Sequence, residues 1–359
     1  MSLFSAKIQN VIGPGIIFAG AAIGGSHLMS STTAGARFGF SLIVLILITN
    51  FLKYPFLLVG TRFTASTGMT LLEGFKKRNS LYLPIFLIIS LVTGTFTIAA
   101  VSFVSGVLLT NIPLFSNFPP MDLSIIVLVI CGFILIFGKY KALDNLSKIL
   151  VSLLTILTFF AVISLLINGS LNNDLTATFF NPETSPWRLS NLSFLIPLMG
   201  WMPCPVELCV WPSLWMFSKN KESKYRPTVQ EAEFDFNLGY LITIITAIFF
   251  VTLGAITMYG TGDGMLSGSG VSFAQNLIKL YTESIGEWSK WIIIPASFAA
   301  MFSTTLTCLD AYPRSISSIQ GLLRGTDLGR IESSFEQTRF QNWMIIHIFA
   351  SLIAFLLAK

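Results

Sequence analysis

Hydrophobic residues in this chain come in long, nearly unbroken runs. Nine stand out, over residues 11–32, 38–61, 82–110, 121–138, 146–168, 191–217, 236–259, 288–311 and 341–358. A helix needs about 20 mostly apolar residues to cross the hydrocarbon core of a bilayer. Inside lipid every backbone N–H and C=O must be satisfied within the segment, so such runs predict helices. They are too continuous for the alternating strands of a membrane barrel. The pattern therefore predicts an all-α, polytopic bundle. A weaker pattern over residues 271–286 gathers Val271, Phe273, Ala274, Leu277, Ile278 and Tyr281 near one helical face, which predicts a short amphipathic surface helix. Residues 218–235 are charged and read as a linker.

Composition agrees. Of 359 residues 53% are hydrophobic and only 11% charged, whereas a soluble domain carries about 25% charged residues. A net charge of +5 would suggest a nucleic-acid partner in a soluble protein, but here the basic residues follow the loops. With the N-terminus in the cytoplasm, sixteen of the 22 lysines and arginines fall on the cytoplasmic side, five fall outside, and Lys53 lies within a span. That bias sets the expected orientation of a multi-pass protein of the cell membrane, with the lipid bilayer rather than nucleic acid as its surroundings. The first run lacks a small-residue cleavage site, so no cleavable signal peptide is expected. Cys131, Cys204, Cys209 and Cys308 all sit in apolar stretches, which argues against a disulfide framework. With two histidines, His27 and His347, and no Walker, nucleophile-elbow or metalloprotease motif, neither an enzyme nor a cofactor is expected.

Two spans carry far more helix-breaking chemistry than the rest. The first contains Gly13-Pro14-Gly15, Gly20 and Gly24-Gly25-Ser26-His27; the sixth contains Pro197, Gly200, Met202-Pro203-Cys204-Pro205 and Pro212. Proline removes a backbone donor and clashes with the preceding turn, and glycine permits unwinding. Spans one and six are corresponding positions in two repeats of five. Interrupted segments so placed are a sequence pointer to the central site of a secondary transporter.

At these residues the chain resembles the natural resistance-associated macrophage protein (Nramp) family of proton-coupled divalent metal importers. The likeness lies in Gly13-Pro14-Gly15, in the Ala34-Gly35-Ala36-Arg37-Phe38-Gly39-Phe40-Ser41-Leu42 stretch, and in Thr67-Gly68 with Leu71-Leu72-Glu73. It continues in Met202-Pro203 and in Ser303-Thr304-Thr305-Leu306-Thr307. The resemblance implies a LeuT-like (APC superfamily) inverted-repeat architecture with broken first and sixth helices. Residues 1–168 would form the first repeat of five spans, and residues 169–359 a second with four. Such a core has ten spans; either the sequence is incomplete or this branch lacks the tenth. The chain departs from the family where metal is bound. Gly24, Gly25, Ser26 and His27 stand where the family has Asp-Pro-Gly-Asn. In the sixth span Met202 is kept, Cys204 and Cys209 replace two histidines, and Glu207 is a new acid.

Ionisable residues inside spans are costly and point to function. Glu207 is a candidate cation ligand or proton carrier, or else the partner of Lys53. His27 offers an imidazole at the break in span one, and Cys204 and Met202 are soft donors. The expected metal site is therefore His27, Met202, Cys204, Glu207 and the Gly24 backbone, which favours a softer ion than magnesium, such as manganese, iron or zinc. Lys53, Thr304, Asp310 and Arg314 are candidates for coupling or gating; Asp310 and Arg314 stand four apart and can pair on one helix face, although Pro313 intervenes. The expected function is proton-coupled transport of a divalent metal by alternating access. The alternative is symport of an amino acid or other small organic solute on the same scaffold. Convergence of His27 and Glu207 on one cavity would favour the metal; if they point away from a shared cavity, the metal reading loses that basis.

Overall fold

The computed structural model describes residues 10–167, 185–259, 278, 282, 286–325 and 333–357. The first span is split into α1 (Pro14–Ala22), a π-helical turn (Ser26–Ser31) and α2 (Thr32–Phe38). Next come α3 (Ile43–Thr67), the short α4 (Leu71–Arg78), α5 (Tyr82–Leu109) and α6 (Pro120–Ile167). The sixth span is split into α7 (Leu192–Trp201), a 3-10 turn (Val206–Cys209) and α8 (Val210–Ser223). The chain continues through α9 (Val229–Met258), α10 (Lys290–Leu323) and α11 (Ser333–Leu357).

Seven of these stretches are long and apolar enough to cross a membrane. One of them, α6, has 48 residues, about 72 Å of helix at 1.5 Å per residue, which is enough for two crossings. It bends at Lys139 (φ 51, ψ −151). The broken first span adds another crossing in pieces too short to count alone. The apolar runs placed a gap at residues 139–145, yet helix resumes directly after the bend. Hydropathy misses this turn because its polar residues, Asp144 and Lys148, pair with each other across one helical turn at 2.9 Å. The expected linker over 218–235 shrinks likewise. Charged residues continue α8 to Ser223, and Thr228 with Glu231 forms a reciprocal capping box that starts α9. The surface helix expected over 271–286 falls, apart from isolated positions, outside the described residues.

The bundle is organised around α10 and α9. In its most apolar stretch α10 is 78% buried, against 22–56% for the other spanning helices, so it forms the centre. Outward faces carry bare apolar side chains such as Phe51, Phe56, Phe137 and Trp291, which only lipid can accommodate over so wide an area. Between lipid-solvated helices close backbone approach replaces hydrophobic driving force. Here α9 meets both halves of the first span through glycine pairs. A Cβ on Gly239 would lie 1.9 Å from the Gly15 carbonyl oxygen, and one on Gly254 would lie 2.1 Å from that of Thr32. Gly239→Ala is therefore expected to destabilise the protein by about 1–3 kcal/mol, the usual cost of overpacking. Thermal unfolding of the solubilised protein would check this; an unchanged transition would mean that the two helices do not touch there.

Candidate functional site

The two breaks face one cavity. Span six loses its helix after Trp201 because Pro203 and Pro205 cannot donate; Met202 and Pro205 are extended (ψ 123 and 144). Span one opens at Ile23 and Gly24 (Ile23 ψ 73). Between them, closed by α5 and α10, lies a cavity of about 440 Å³. Its polar lining includes Gly24, Ser26, Cys204, Glu207, Thr304 and Cys308. Phe96, Trp201, Trp211 and Tyr312 give it aromatic walls.

Glu207 is the one carboxylate among the residues lining this cavity. It accepts a hydrogen bond from the Tyr312 hydroxyl at 3.2 Å, and Tyr312 is fixed edge-on to Trp211 with ring centroids 4.9 Å apart. Lys53 is not its partner. The Lys53 ammonium donates instead to the carbonyl oxygens of Met199 (2.7 Å), Gly200 (2.6 Å) and Cys204 (3.1 Å). Those first two are among the last four carbonyls of α7, which have no partner inside the helix. A tethered cation thus sits where the helix dipole is negative. Thr304 joins α10 to the broken first span, its hydroxyl lying 3.0 Å from the Gly20 carbonyl oxygen and 3.3 Å from that of Ile23. The narrow space over Gly24 is filled by the Thr304 side chain.

His27 and Met202 do not reach the cavity. His27 is fully buried. Its Nε2 lies 3.0 Å from the Thr243 carbonyl oxygen and its Nδ1 lies 2.9 Å from Ser26 Oγ. A carbonyl only accepts, so Nε2 carries a proton and both ring nitrogens are engaged with α9 and the π turn. The Met202 sulfur is 3.8 Å from Ser31 Oγ and packs among Ala34, Leu195, Leu198 and Val251. His27 and Glu207 therefore do not converge. Among the described residues no three His, Cys, Asp or Glu side chains are grouped so as to hold a metal ion. Cys204, Glu207 and Gly24 do share the cavity.

Asp310 and Arg314 pair despite Pro313, below the cavity. Arg314 donates to both carboxylate oxygens of Asp310, and Trp215 Nε1 donates to Asp310 at 2.9 Å. Two further acids hold the same end together and escaped the sequence reading. Asp235 on α9 accepts from the backbone N–H groups of Gly13 (3.0 Å) and Gly15 (2.7 Å). Asp144 accepts from Lys148 (2.9 Å) and Lys219 (2.6 Å). The sequence signals the need but not the acid: Gly13-Pro14-Gly15 opens a helix whose first N–H groups need an acceptor, and no Ser, Thr, Asp or Asn sits at its N-cap.

Sequence and structure comparisons extend this picture. The family model described as "Natural resistance-associated macrophage protein-like" matches residues 15–359. An uncharacterised protein of Pasteurella multocida (strain Pm70), PM0681, is 38% identical over 304 residues, which is 85% of this chain and 69% of that protein. The fold is similar to the Eremococcus coleocola manganese transporter, with TM-score 0.71 and 15% identity over 99% of this chain and 73% of that one. It is also similar to a Na+-coupled sialic acid symporter, with TM-score 0.67 and 17% identity over 96% of this chain and 74% of that one. Two broken helices around a shared cavity, in a bundle that is helical throughout its described residues, are the LeuT-like fold of these structures. Within that class the chain belongs to the Nramp-like family. It is accordingly a membrane transporter rather than an enzyme, and what it carries is cargo rather than a resident cofactor.

Proposed function

We propose that this protein carries a divalent metal cation across the cell membrane by alternating access, coupled to protons, with the ion bound beside Glu207. The observation that carries the reading is the position of Glu207, a carboxylate inside the bilayer at the gap between half-helices. Glu207 is half-buried, and an acid within a span is costly unless it meets a cation, a proton or water. Family membership and the fold shared with a manganese transporter support the same cargo. The donor set differs from the sequence expectation. With His27 and Met202 engaged elsewhere, the Glu207 carboxylate, the Ser26 and Thr304 hydroxyls, backbone oxygens and water remain, joined by the Cys204 thiol. Oxygen-rich sets suit manganese better than zinc. Residues 1–168 and 169–359 then act as the two inverted repeats.

Orientation follows from charge. Hydrogen bonds gather Arg62, Lys76, Lys148, Lys219 and Arg226 at one end of the bundle. Trp187, Trp288 and Trp291 stand exposed at the opposite helix ends. We read the basic end as cytoplasmic.

A second reading has its own support. A cavity of about 440 Å³ with aromatic walls has the size and lining of a small-molecule site, and the sialic acid symporter shares the scaffold. Proteoliposome uptake separates the two. Saturable manganese uptake, faster with an inward proton gradient and reduced at least tenfold in Glu207→Ala, is the expected result. Uptake of none of manganese, iron or zinc by a well-folded chain, with uptake of an amino acid in its place, would establish the organic cargo.

A further inference from the structure

A second cavity lies outside the transport site. It has a volume of about 490 Å³ and sits at the basic end, where α6 bends, against the ends of α8, α10 and α11. Its lining carries four cationic side chains, Lys139, Lys141, Lys221 and Arg314, against one acid, Glu222. Arg314 is already held by Asp310 and Ser218 and lies 5.0 Å over the Phe340 ring, so it forms a fixed wall. Lys139 and Lys141 are exposed and make no ion pair with a described residue.

Two hydroxyls in the lining are buried and unpartnered. Tyr140 is 7% exposed and Ser317 2% exposed, and neither Tyr140 Oη nor Ser317 Oγ has a hydrogen-bond partner among the described residues. Buried polar groups are normally satisfied, so these two hydroxyls, closed off beside the cavity, are free to turn to a ligand oxygen that reaches them. Ammonium groups only donate, and the hydroxyls have donors to spare. The complementary ligand presents several acceptor oxygens in more than one direction, which describes a phosphate better than a flat carboxylate. Leu135 and Phe217 line the same cavity, so the ligand has an apolar part beside its charge. The backbone adds a further sign. Lys139 occupies a glycine-type conformation, next to Gly138, which would adopt it without strain. Strain held by a charged side chain points to a use for that side chain.

We infer that this cavity is a binding site for an organic phosphate, either the headgroup of an anionic membrane lipid or a soluble phosphate ester, distinct from the cargo site and independent of what the cargo is. Basic pockets between spanning helices at the cytoplasmic surface hold phospholipid headgroups by the same chemistry.

The test uses the full chain in nanodiscs and reads thermal unfolding and retained lipid rather than transport. Three conditions are compared: phosphatidylcholine alone, phosphatidylcholine with phosphatidylglycerol, and phosphatidylcholine with glycerol 3-phosphate in the buffer. Protection by phosphatidylglycerol alone identifies a lipid headgroup, and protection by both identifies the phosphate group itself. In either case Lys139→Gln and Lys141→Gln are each expected to weaken the apparent affinity by roughly fivefold, from the energy of one lysine near an anionic surface. Lys77→Gln, a basic residue outside the cavity, leaves it unchanged. Tyr140→Phe serves as a second variant, since it removes only the unpartnered hydroxyl; it is expected to weaken binding without lowering the stability of the ligand-free protein. Equal protection of wild type and the Lys139→Gln/Lys141→Gln variant, or no response to either phosphate, overturns the assignment.

Discussion

Lys53→Met is expected to cut transport by roughly 100-fold while Lys53→Arg retains a substantial part of it. The reason is local and electrostatic. Lys53 binds three carbonyl oxygens, those of Met199, Gly200 and Cys204, at the point where span six stops being a helix. Lipid offers those oxygens no replacement donor. An acceptor left unsatisfied against hydrocarbon costs at least about 1 kcal/mol, so three facing lipid together reach about 3 kcal/mol, or two powers of ten. Methionine keeps the length and apolar bulk of the side chain and removes only the charge and the donors. Uptake into proteoliposomes, with reconstituted protein quantified, reads the loss. A Lys53→Met protein that transports normally would show that water or a rebuilt helix satisfies the three oxygens.

Asp310→Ala should cost more in stability than any other single change considered. The Asp310 side chain is 1% exposed. It receives Arg314 through two hydrogen bonds and Trp215 through a third, tying α10 to α8. Removing one partner of a buried ion pair costs about 3–5 kcal/mol; Arg314 is 20% exposed and keeps its bond to Ser218, so the lower end of that range is expected. Replacing both partners by apolar groups is often close to neutral. The expected order of thermal stability is therefore wild type, then Asp310→Leu/Arg314→Met, then Asp310→Ala. A double variant no better than the single would mean that Asp310 matters for Trp215 and not for Arg314.

The spans and their breaks were legible because both depend on local chemistry. An apolar run of about 20 residues has few other fates, and Pro203 and Pro205 remove donors wherever they are placed. What could not be read was direction. A helix carries a register of 3.6 residues that says which side chains share a face, and the breaks abolish that register just where the site is built. His27 stands two residues past Gly25 and could have faced either way; the Thr243 carbonyl on α9, 216 positions later in the chain, decides it. Met202 is likewise drawn off by Ser31. Asp144 and Asp235 were missed because their importance depends on partners brought together by the fold. Their role as anchors for Lys219 and for the opening turn of α1 has no counterpart in spacing.

The glycine contacts of α9 restrict how the first span can move. A rotation of α1 alone would have to part Gly15 from Gly239 and pull the Gly13 and Gly15 amides off Asp235. A rotation of α2 alone would part Thr32 from Gly254. Moving both halves with α9 breaks none of these contacts. Span one, although unwound in the middle, is thus a lever with two bearings on one shaft, and its unwound middle supplies no free joint.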